Sequence, residues 1–339
     1  MIVDRLDSGL GIAAKSRAST SQGIDVFAAM KFSSPRRLLH EIAESSYDLI
    51  LFAWRRIAWE VFLLKDEARI MNSLSGSPAV AILVADHLGT QPEFLEKETE
   101  LVNAIDYVLV TNQSLGEIYS ELFPSKYKGI LHDFPSDELI SIAHSHGIGN
   151  EDRQGLVWIG NSNWGKNLGI SDHKGYKSVV LPIMATLGES KVKIYDSNRK
   201  LTPFTSVLEA LSKCRYLIQA SVSEGTGLPL LEAIGTGAIP ITTDVGVARE
   251  VIPKDLQFLI VDRNPEAFLD CMALLEKSDR QRVSETLQKA YHQYLAKIRV
   301  EPVFFSTKQG SRKIDGSWRE RLLIKIKWLF RHLKYRGRS

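Results

Sequence analysis

The chain has 339 residues, of which 44% are hydrophobic and 24% are charged. This composition is typical of folded globular proteins and excludes intrinsically disordered chains and proteins built mainly of membrane-spanning helices. The length suits two domains of roughly 120 to 180 residues each. Cys214 and Cys271 lie in apolar surroundings without metal-ligand spacing, so we expect buried thiols of a reducing compartment rather than a disulfide.

The net charge of +3 is unevenly distributed along the chain. Residues 311–339 hold ten Lys and Arg against Asp315 and Glu320, a local charge of +8 that leaves −5 for the rest. Residues 1–15 contain Asp4 and Asp7 and lack the apolar core of a secretory signal, and no window reaches the roughly 18 apolar residues of a spanning helix. We therefore expect a protein that is cytoplasmic, either free or peripheral at the inner face of the membrane.

Short apolar runs alternate with helical patterns through the first half of the chain. The predicted strands are 23–30, 47–54, 79–85, 105–110 and 129–132, and the predicted helices include 35–44 and a long one over 55–74. Strand–helix–strand spacing of this kind is the signature of a mostly parallel, doubly wound sheet. The sequence therefore predicts an N-terminal Rossmann-like domain over residues 1–150.

A second series of strands and helices follows a polar segment, residues 144–155, that is typical of an interdomain linker. Its predicted strands are 156–159, 192–195, 216–220, 238–242 and 258–261. We expect a second Rossmann-like domain over 151–310 and a basic amphipathic tail over 311–339.

The most informative segment is residues 221–246, SVSEGTGLPLLEAIGTGAIPITTDVG. Gly225 and Gly227 permit a tight turn with close ligand approach, and Pro229 suits the first turn of a helix that begins near Leu228. The free N–H groups of such a helix, at the carboxyl edge of a parallel sheet, form a site for an anion such as a diphosphate. The pattern therefore predicts a phosphate-binding strand–turn–helix.

Two glutamates flank this turn, Glu224 in the loop and Glu232 in the helix. A loop carboxylate can accept hydrogen bonds from sugar hydroxyls, and a helical one can hold a ribose diol. The plainer alternative is a strand–turn–helix in which the glycines serve geometry alone and both glutamates are solvated.

The whole segment closely resembles the donor-binding motif of the retaining family-4 glycosyltransferases, the glycosyl transferases group 1. In that family two glutamates separated by seven intervening residues flank a Gly-x-Gly-Leu-Pro turn, as Glu224 and Glu232 do here. The chain continues with TGAIPITTDVGVARE over residues 236–250. Within this segment only Pro240 departs from the family pattern, being displaced by one place. The resemblance implies the GT-B architecture, an α/β fold of two facing Rossmann-like domains with parallel sheets.

The resemblance also implies roles for individual residues. Glu224 would lie near the transferred sugar and Glu232 would bind the nucleotide ribose. Gly225 belongs to the same turn, and the backbone of Thr226, Gly227 and Leu228 would line the pocket for the sugar and the diphosphate.

Two cations usually contact the donor phosphates in this family, one from a Gly-Arg and one from a later Lys-Gly. Lys174 takes the second place, but Asn161 stands where the arginine is expected, and Lys166 is a candidate to supply the missing charge. The alternative is that both lysines are solvated loop residues.

The resemblance assigns the acceptor to the N-terminal domain, where Asp86 and His87 follow a predicted strand and would lie near the reacting centre. A histidine at a strand end can equally be structural. Gly9 and Gly11 would let the backbone approach the donor sugar, or they form a plain turn. The first helix of the family is abbreviated here between Gly11 and Gly23.

The expected reaction is transfer of a hexose-like unit from a nucleotide diphosphate sugar to an acceptor hydroxyl with retention, in the synthesis of a cell-surface polysaccharide or a glycolipid. The nucleotide sugar is a co-substrate, and we expect neither a cofactor nor a metal ion, since no Asp-x-Asp pair is present and His144 and His146 stand alone. The alternatives are a non-catalytic GT-B scaffold or regulatory module that keeps nucleotide binding, and nucleic-acid binding through the basic tail, which the acidic body and the lack of a recognised motif disfavour.

The C-terminal tail predicts a basic amphipathic helix over residues 318–335. Its periodic apolar residues are Trp318, Leu322, Ile326, Leu329, Phe330 and Leu333, accompanied by Arg321, Lys325, Lys327, Arg331 and Lys334. Such a helix either docks on an anionic membrane surface that holds a lipid-linked acceptor or packs back on the N-terminal domain.

Overall fold

The structure, a computed structural model, describes residues 1–6, 8–20, 23–135, 153–200, 202–298, 314 and 317–336. Contacts between Cα atoms divide the chain into two compact units, residues 1–134 with 302–339 and residues 135–301. The sequence placed the first boundary near residue 150 and set the tail apart, whereas these contacts group the tail with the first unit. The predicted linker 144–155 lies outside the described residues except for its last three.

The first unit is built on a six-stranded, all-parallel sheet with the order β2-β1-β3-β4-β5-β6. Its strands are β1 (Ile2–Val3), β2 (Phe27–Ala28), β3 (Leu49–Phe52), β4 (Ala79–Val84), β5 (Tyr107–Val110) and β6 (Tyr127–Ile130). Each predicted strand overlaps an observed one, but β1 has no predicted counterpart because two residues are too few to show a periodicity. All six residues of β4 are buried, as expected for a central strand covered on both faces.

The helices of the first unit are α1 (Gly9–Thr20), α2 (Pro35–Ala43), α3 (Arg55–Leu63), α4 (Lys65–Asn72), α5 (Pro92–Asn103) and α6 (Gln113–Leu122). The prediction of one long helix over 55–74 is wrong, because the chain is extended at Leu64, with φ −86° and ψ 114°. Leu63 and Leu64 are each 1% exposed. Consecutive side chains point about 100° apart on a straight helix, and the break between α3 and α4 lets both leucines reach the core.

The second unit has a four-stranded parallel sheet with the order β10-β9-β7-β8. Its strands are β7 (Leu156–Gly160), β8 (Val192–Asp196), β9 (Tyr216–Gln219) and β10 (Ile239–Thr242). The predicted strand over 258–261 is wrong: Lys254–Leu259 is a 3-10 helix, and residue Ile260 makes an isolated bridge to Thr242. A short apolar run alone does not distinguish these conformations.

The helices of the second unit cover this sheet. A π-helical turn, Tyr176–Val180, leads into α7 (Leu181–Leu187), and α8 (Phe204–Lys213), α9 (Leu228–Thr236), α10 (Ala248–Val251), α11 (Pro265–Glu276) and α12 (Arg280–Ile298) follow. Both units are thus α/β with parallel sheets, which confirms the predicted fold class.

The tail forms α13 (Trp318–Arg336), which the sequence predicted to within one residue. Ser317 and Glu320 cap its start reciprocally, since the Ser317 Oγ accepts from the Glu320 N–H at 3.2 Å and the Glu320 carboxylate accepts from the Ser317 N–H at 2.8 Å. Ile324 and Trp328 join the main hydrophobic core of the first unit. Within the described residues, no helix has the length and apolar character needed to cross a bilayer.

Candidate functional site

The glycine-rich turn lies between β9 and α9 in the second unit. Gly227 has the left-handed backbone, φ 76°, that glycine adopts readily, and α9 begins directly after it at Leu228. The carbonyl of Thr226 accepts the Val247 N–H at 3.1 Å. A Cβ on Gly246 would lie 2.4 Å from that same carbonyl oxygen. The turn is therefore fixed from behind by the Asp-Val-Gly segment that the sequence motif includes.

Glu224 and Lys174 form an ion pair in this loop, with 2.5 Å between the Lys174 Nζ and the Glu224 Oε1. The same oxygen accepts the Ser221 hydroxyl at 2.6 Å. Both side chains of the pair are partly exposed, at 19% for Lys174 and 16% for Glu224. The structure thus brings together the residues predicted to face the sugar and the phosphate, and adds Ser221, which the sequence did not single out.

Lys174 belongs to a loop that packs against the carboxyl end of β9. Gly175 has φ 68°, and a Cβ there would lie 2.3 Å from the Ala220 carbonyl oxygen. The preceding residue, His173, is buried and its Nε2 lies 2.9 Å from the Ser223 carbonyl oxygen. Its ring lies 4.0 Å from that of Trp164, centroid to centroid. An aromatic wall of Trp164 and His173 therefore stands beside the ion pair.

Lys166 and Asn161 do not join this cluster. Lys166 is exposed at the start of a 3-10 helix, Lys166–Leu168, and Asn161 uses its side-chain oxygen to accept the Asn163 N–H at 3.0 Å. In the described part of the chain, no hydrogen bond or ion pair connects Lys166 to Glu224 or Lys174. Compensation for the missing arginine therefore stays a prediction.

Glu232 is the second glutamate of the motif, and it is 5% exposed within α9. Among the residues that the structure describes, its carboxyl group has neither a hydrogen-bond donor nor a cation as partner. Burial raises its pKa from 4.5 to about 8. A buried carboxyl group without a protein partner is available to accept hydrogen bonds from a ligand.

Gln219 is a further buried polar residue beside this turn, and it was not among the residues predicted from the sequence. It is 5% exposed, and neither the oxygen nor the nitrogen of its amide has a hydrogen-bond partner among the described residues. A Cβ on Gly227 would lie 2.8 Å from the Gln219 Nε2. Its amide therefore lies directly under the start of α9, where glycine alone leaves room for it.

Asp86 and His87 follow β4 in the first unit. Asp86 pairs with Arg55 and accepts the Leu88 N–H at 2.9 Å, and the same guanidinium lies 3.5 Å from Glu98. Burial lowers the pKa of His87, an effect that Asp86 opposes and Arg55 reinforces. The lowered pKa of His87 favours its neutral imidazole form, whereas Asp86 is held in an ion pair with Arg55.

Gly9 and Gly11 lie in the first turn of α1 and not in a plain turn, and the approach of their backbone to a donor sugar stays a prediction. The Ser8 hydroxyl accepts the Gly11 N–H at 3.1 Å at the start of this helix. A Cβ on Gly11 would lie 1.9 Å from the Arg5 carbonyl oxygen. Close packing of the helix on the preceding loop therefore accounts for this glycine.

Residues 196–292 match the family described as Glycosyl transferases group 1. No curated protein sequence matches the chain.

Several solved structures share the fold. The UDP-forming α,α-trehalose-phosphate synthase of Burkholderia vietnamiensis superposes with a TM-score of 0.56 at 11% identity, over 78% of this chain and 75% of that one. The sucrose-phosphate synthase of Thermosynechococcus elongatus gives 0.53 at 13% identity, over 89% and 77%. The pneumococcal O-GlcNAc transferase GtfA, solved with UDP and GlcNAc, gives 0.50 at 15% identity, over 78% and 57%. This chain therefore spans less than two thirds of the length of GtfA.

The family match includes the glycine-rich turn, Glu224 and Glu232, and the structural matches extend over both units. We conclude that the chain has the fold of the GT-B glycosyltransferases and carries, in its second unit, the glycosyl transferases group 1 segment.

Proposed function

We propose that the protein transfers a sugar unit from a nucleotide diphosphate sugar to an acceptor hydroxyl, with retention at the anomeric carbon. The observation that carries this proposal is the buried carboxyl group of Glu232, which has no partner among the described residues. Eight positions before it, the partly exposed carboxylate of Glu224 is paired with Lys174. A scaffold without a ligand gains nothing from such a group, because a buried carboxyl group without partners costs stability. A ribose diol supplies two hydroxyl donors of the kind this group lacks.

The diphosphate in this proposal lies at the start of α9, where the helix N–H groups and Lys174 stabilise its charge. Lys174 exchanges Glu224 for a phosphate oxygen when the donor binds, which leaves the Glu224 carboxylate to accept hydrogen bonds from the sugar. The bond between the anomeric carbon and the diphosphate oxygen breaks, the acceptor oxygen bonds to that carbon, and the acceptor proton passes to the departing diphosphate. The scheme needs no cofactor and no metal ion.

The proposed acceptor is the hydroxyl of a growing polysaccharide or a lipid-linked sugar, bound by the first unit. His87 supports this assignment as a half-buried, neutral imidazole that can accept or donate a hydrogen bond at pH 7. Its neighbour Asp86 would act by orienting this loop through Arg55 and the Leu88 N–H, and not as a free base.

Glu224→Gln tests this proposal most directly. The donor is first identified by thermal shift against UDP-, GDP- and ADP-sugars. We then expect the variant to bind that donor with unchanged affinity and to hydrolyse or transfer the sugar roughly tenfold or more slowly, since a tenfold loss needs only about 1.4 kcal/mol at the transition state.

The matched control is Glu209→Gln, an exposed glutamate on α8 of the same unit, which should keep the wild-type rate. A wild-type rate in Glu224→Gln would contradict the role of the loop glutamate. Donor binding by the wild type without hydrolysis or transfer to any sugar or lipid-linked acceptor would favour the non-catalytic module.

A further inference from the structure

The C-terminal helix α13 has two apolar faces, of which the protein uses one. Ile324, Trp328 and His332, four residues apart, are buried against the first unit. Seven other large apolar side chains of the helix are exposed, between 42% and 68%: Trp318, Leu322, Leu323, Ile326, Leu329, Phe330 and Leu333. Soluble monomers rarely expose so many large apolar side chains together.

These seven residues form one continuous surface, which we call the outer face of α13. At 100° per residue they occupy an arc of about 140° centred opposite the buried residues. Lys325 and Lys327 are exposed at the two borders of this arc. The guanidinium of Arg319 lies 5.6 Å from the centre of the Trp318 ring at its start. The outer face is therefore an apolar strip with a cationic border.

The buried face of the helix is held by an ion pair. The Glu60 carboxylate of α3 accepts the Trp328 indole N–H at 2.7 Å and two N–H groups of Arg331 at 2.6 and 2.8 Å. The His332 Nδ1 lies 3.2 Å from the Met30 carbonyl oxygen. These contacts fix the rotation of the helix about its axis, so the outer face stays turned away from the first unit.

We propose that the outer face of α13 lies flat in the interface of an anionic membrane while the opposite face stays packed on the first unit. An in-plane helix needs large apolar side chains on one side and Lys or Arg at the borders, and the outer face has both. The local charge of +8 over residues 311–339 adds attraction to anionic headgroups at about 1 kcal/mol per cation near the surface.

This proposal does not depend on the transferase chemistry, because it stands on the exposure and charge of one helix. The sequence left packing on the N-terminal domain and docking on a membrane as alternatives. In this proposal α13 does both, each with a different face. A membrane bound in this way contacts the unit that carries His87, the proposed acceptor unit.

The test is sedimentation of the full chain with vesicles of phosphatidylcholine, with and without about 30% phosphatidylglycerol as the anionic lipid. We expect binding to the anionic vesicles, and we expect the triple variant Leu322→Gln, Leu329→Gln, Phe330→Gln to bind roughly tenfold or more weakly at an unchanged melting temperature. The matched control is Leu122→Gln, Leu168→Gln, Leu274→Gln, three leucines of similar exposure elsewhere on the chain, which should bind like the wild type.

Two further readouts separate the alternatives. Binding should shift the emission of Trp318 to shorter wavelength, and the shift should vanish in Trp318→Phe. Equal sedimentation of the wild type and the outer-face variant would overturn the proposal. A second outcome would also overturn the proposal: the wild type forms a dimer or a larger assembly in lipid-free buffer, and the triple variant is monomeric. The partner of the outer face would then be a second copy of the chain.

Glu60→Gln tests whether the helix stays packed. If α13 must leave the first unit to reach the membrane, loosening the Glu60 contacts should strengthen vesicle binding. The proposal requires binding that is unchanged or weaker.

Discussion

Two buried carboxyl groups, one in each unit, are treated by the protein in opposite ways. Glu60 in the first unit has a side chain that is 2% exposed and accepts hydrogen bonds from Arg56, Trp328 and Arg331. Glu232 in the second unit is 5% exposed and has no partner among the described residues. In the sequence both are glutamates within helices, and only their surroundings in the folded structure distinguish them.

The different surroundings of Glu60 and Glu232 identify Glu60 as the structural residue of the two. A buried carboxylate that is fully hydrogen-bonded serves the fold, because its partners offset the loss of water. A buried carboxyl group without partners weakens the fold, because burial disfavours its charged form and raises its pKa. Ionisable groups with strongly shifted pKa values cluster at functional sites, which supports the proposed ligand role of Glu232.

The largest expected effect is a loss of stability on removal of the Glu60 carboxylate. Glu60→Ala leaves the half-buried Arg331 and the indole of Trp328 without their acceptor. We expect a loss of about 3 kcal/mol or more in the free energy of unfolding, since removing one partner of a buried ion pair strands the other. Urea denaturation of the full chain measures it.

The control for this experiment is Glu117→Ala, a glutamate exposed on α6 of the same unit. A surface substitution of this kind should change stability by at most about 0.5 kcal/mol. Equal losses in the two variants would show that the Glu60 contacts contribute nothing specific.

The second prediction concerns the proposed role of Glu232 in binding the donor. Glu232→Gln should weaken binding of the nucleotide sugar by about 1 to 3 kcal/mol, because an acceptor for two ribose hydroxyls becomes a weaker one. Calorimetry with the identified donor measures the affinity. An unchanged affinity would exclude the ribose role.

The same variant should alter the dependence of stability on pH. A carboxyl group whose pKa is raised on folding favours the folded state fully below its ordinary pKa of 4.5, and this contribution is lost as the pH rises to about 8. The donor-free wild type should therefore lose stability over this range relative to Glu232→Gln, by roughly 1.4 kcal/mol per unit of pKa shift at most.

The smallest expected effect concerns the ion pair of Lys174 and Glu224. Lys174→Ala should weaken binding of the nucleoside diphosphate by about 1 kcal/mol while leaving the nucleoside unaffected, because an ammonium group acts on phosphate as a point charge. Equal losses for the two ligands would exclude a phosphate role. Lys166→Ala, measured in parallel, should weaken diphosphate binding only if that exposed lysine compensates for Asn161.

The fold could be predicted from the sequence where local signals are strong. Gly227 and Pro229 determine the start of α9, and the apolar period determines α13 to within one residue. The break at Leu64 was not predictable, since the helical pattern runs through it and packing decides it. Nor was the orientation of α13, because both of its faces are apolar and the period does not say which one is buried.

The candidate site was predicted in part. The motif selected Glu224 and Lys174 separately, but their ion pair joins residues 50 positions apart, and no local pattern reports such a contact. Gln219 and His173 were missed for the same reason. A polar residue within the apolar strand before the turn was the one available signal for Gln219.

The contact between Glu60 and Trp328 joins residues 268 positions apart. Because the ribosome synthesises the chain from its N-terminal side, the entire second unit is made before Trp328 and Arg331, two of the three partners of Glu60, exist. Synthesis of the first unit therefore starts before that of the second unit and ends after it. Until Trp328 and Arg331 have been synthesised, the Glu60 carboxylate is either buried without these two partners or exposed to solvent. A premature stop codon before Trp328 would leave the second unit complete and remove from the first unit the helix that contacts Glu60.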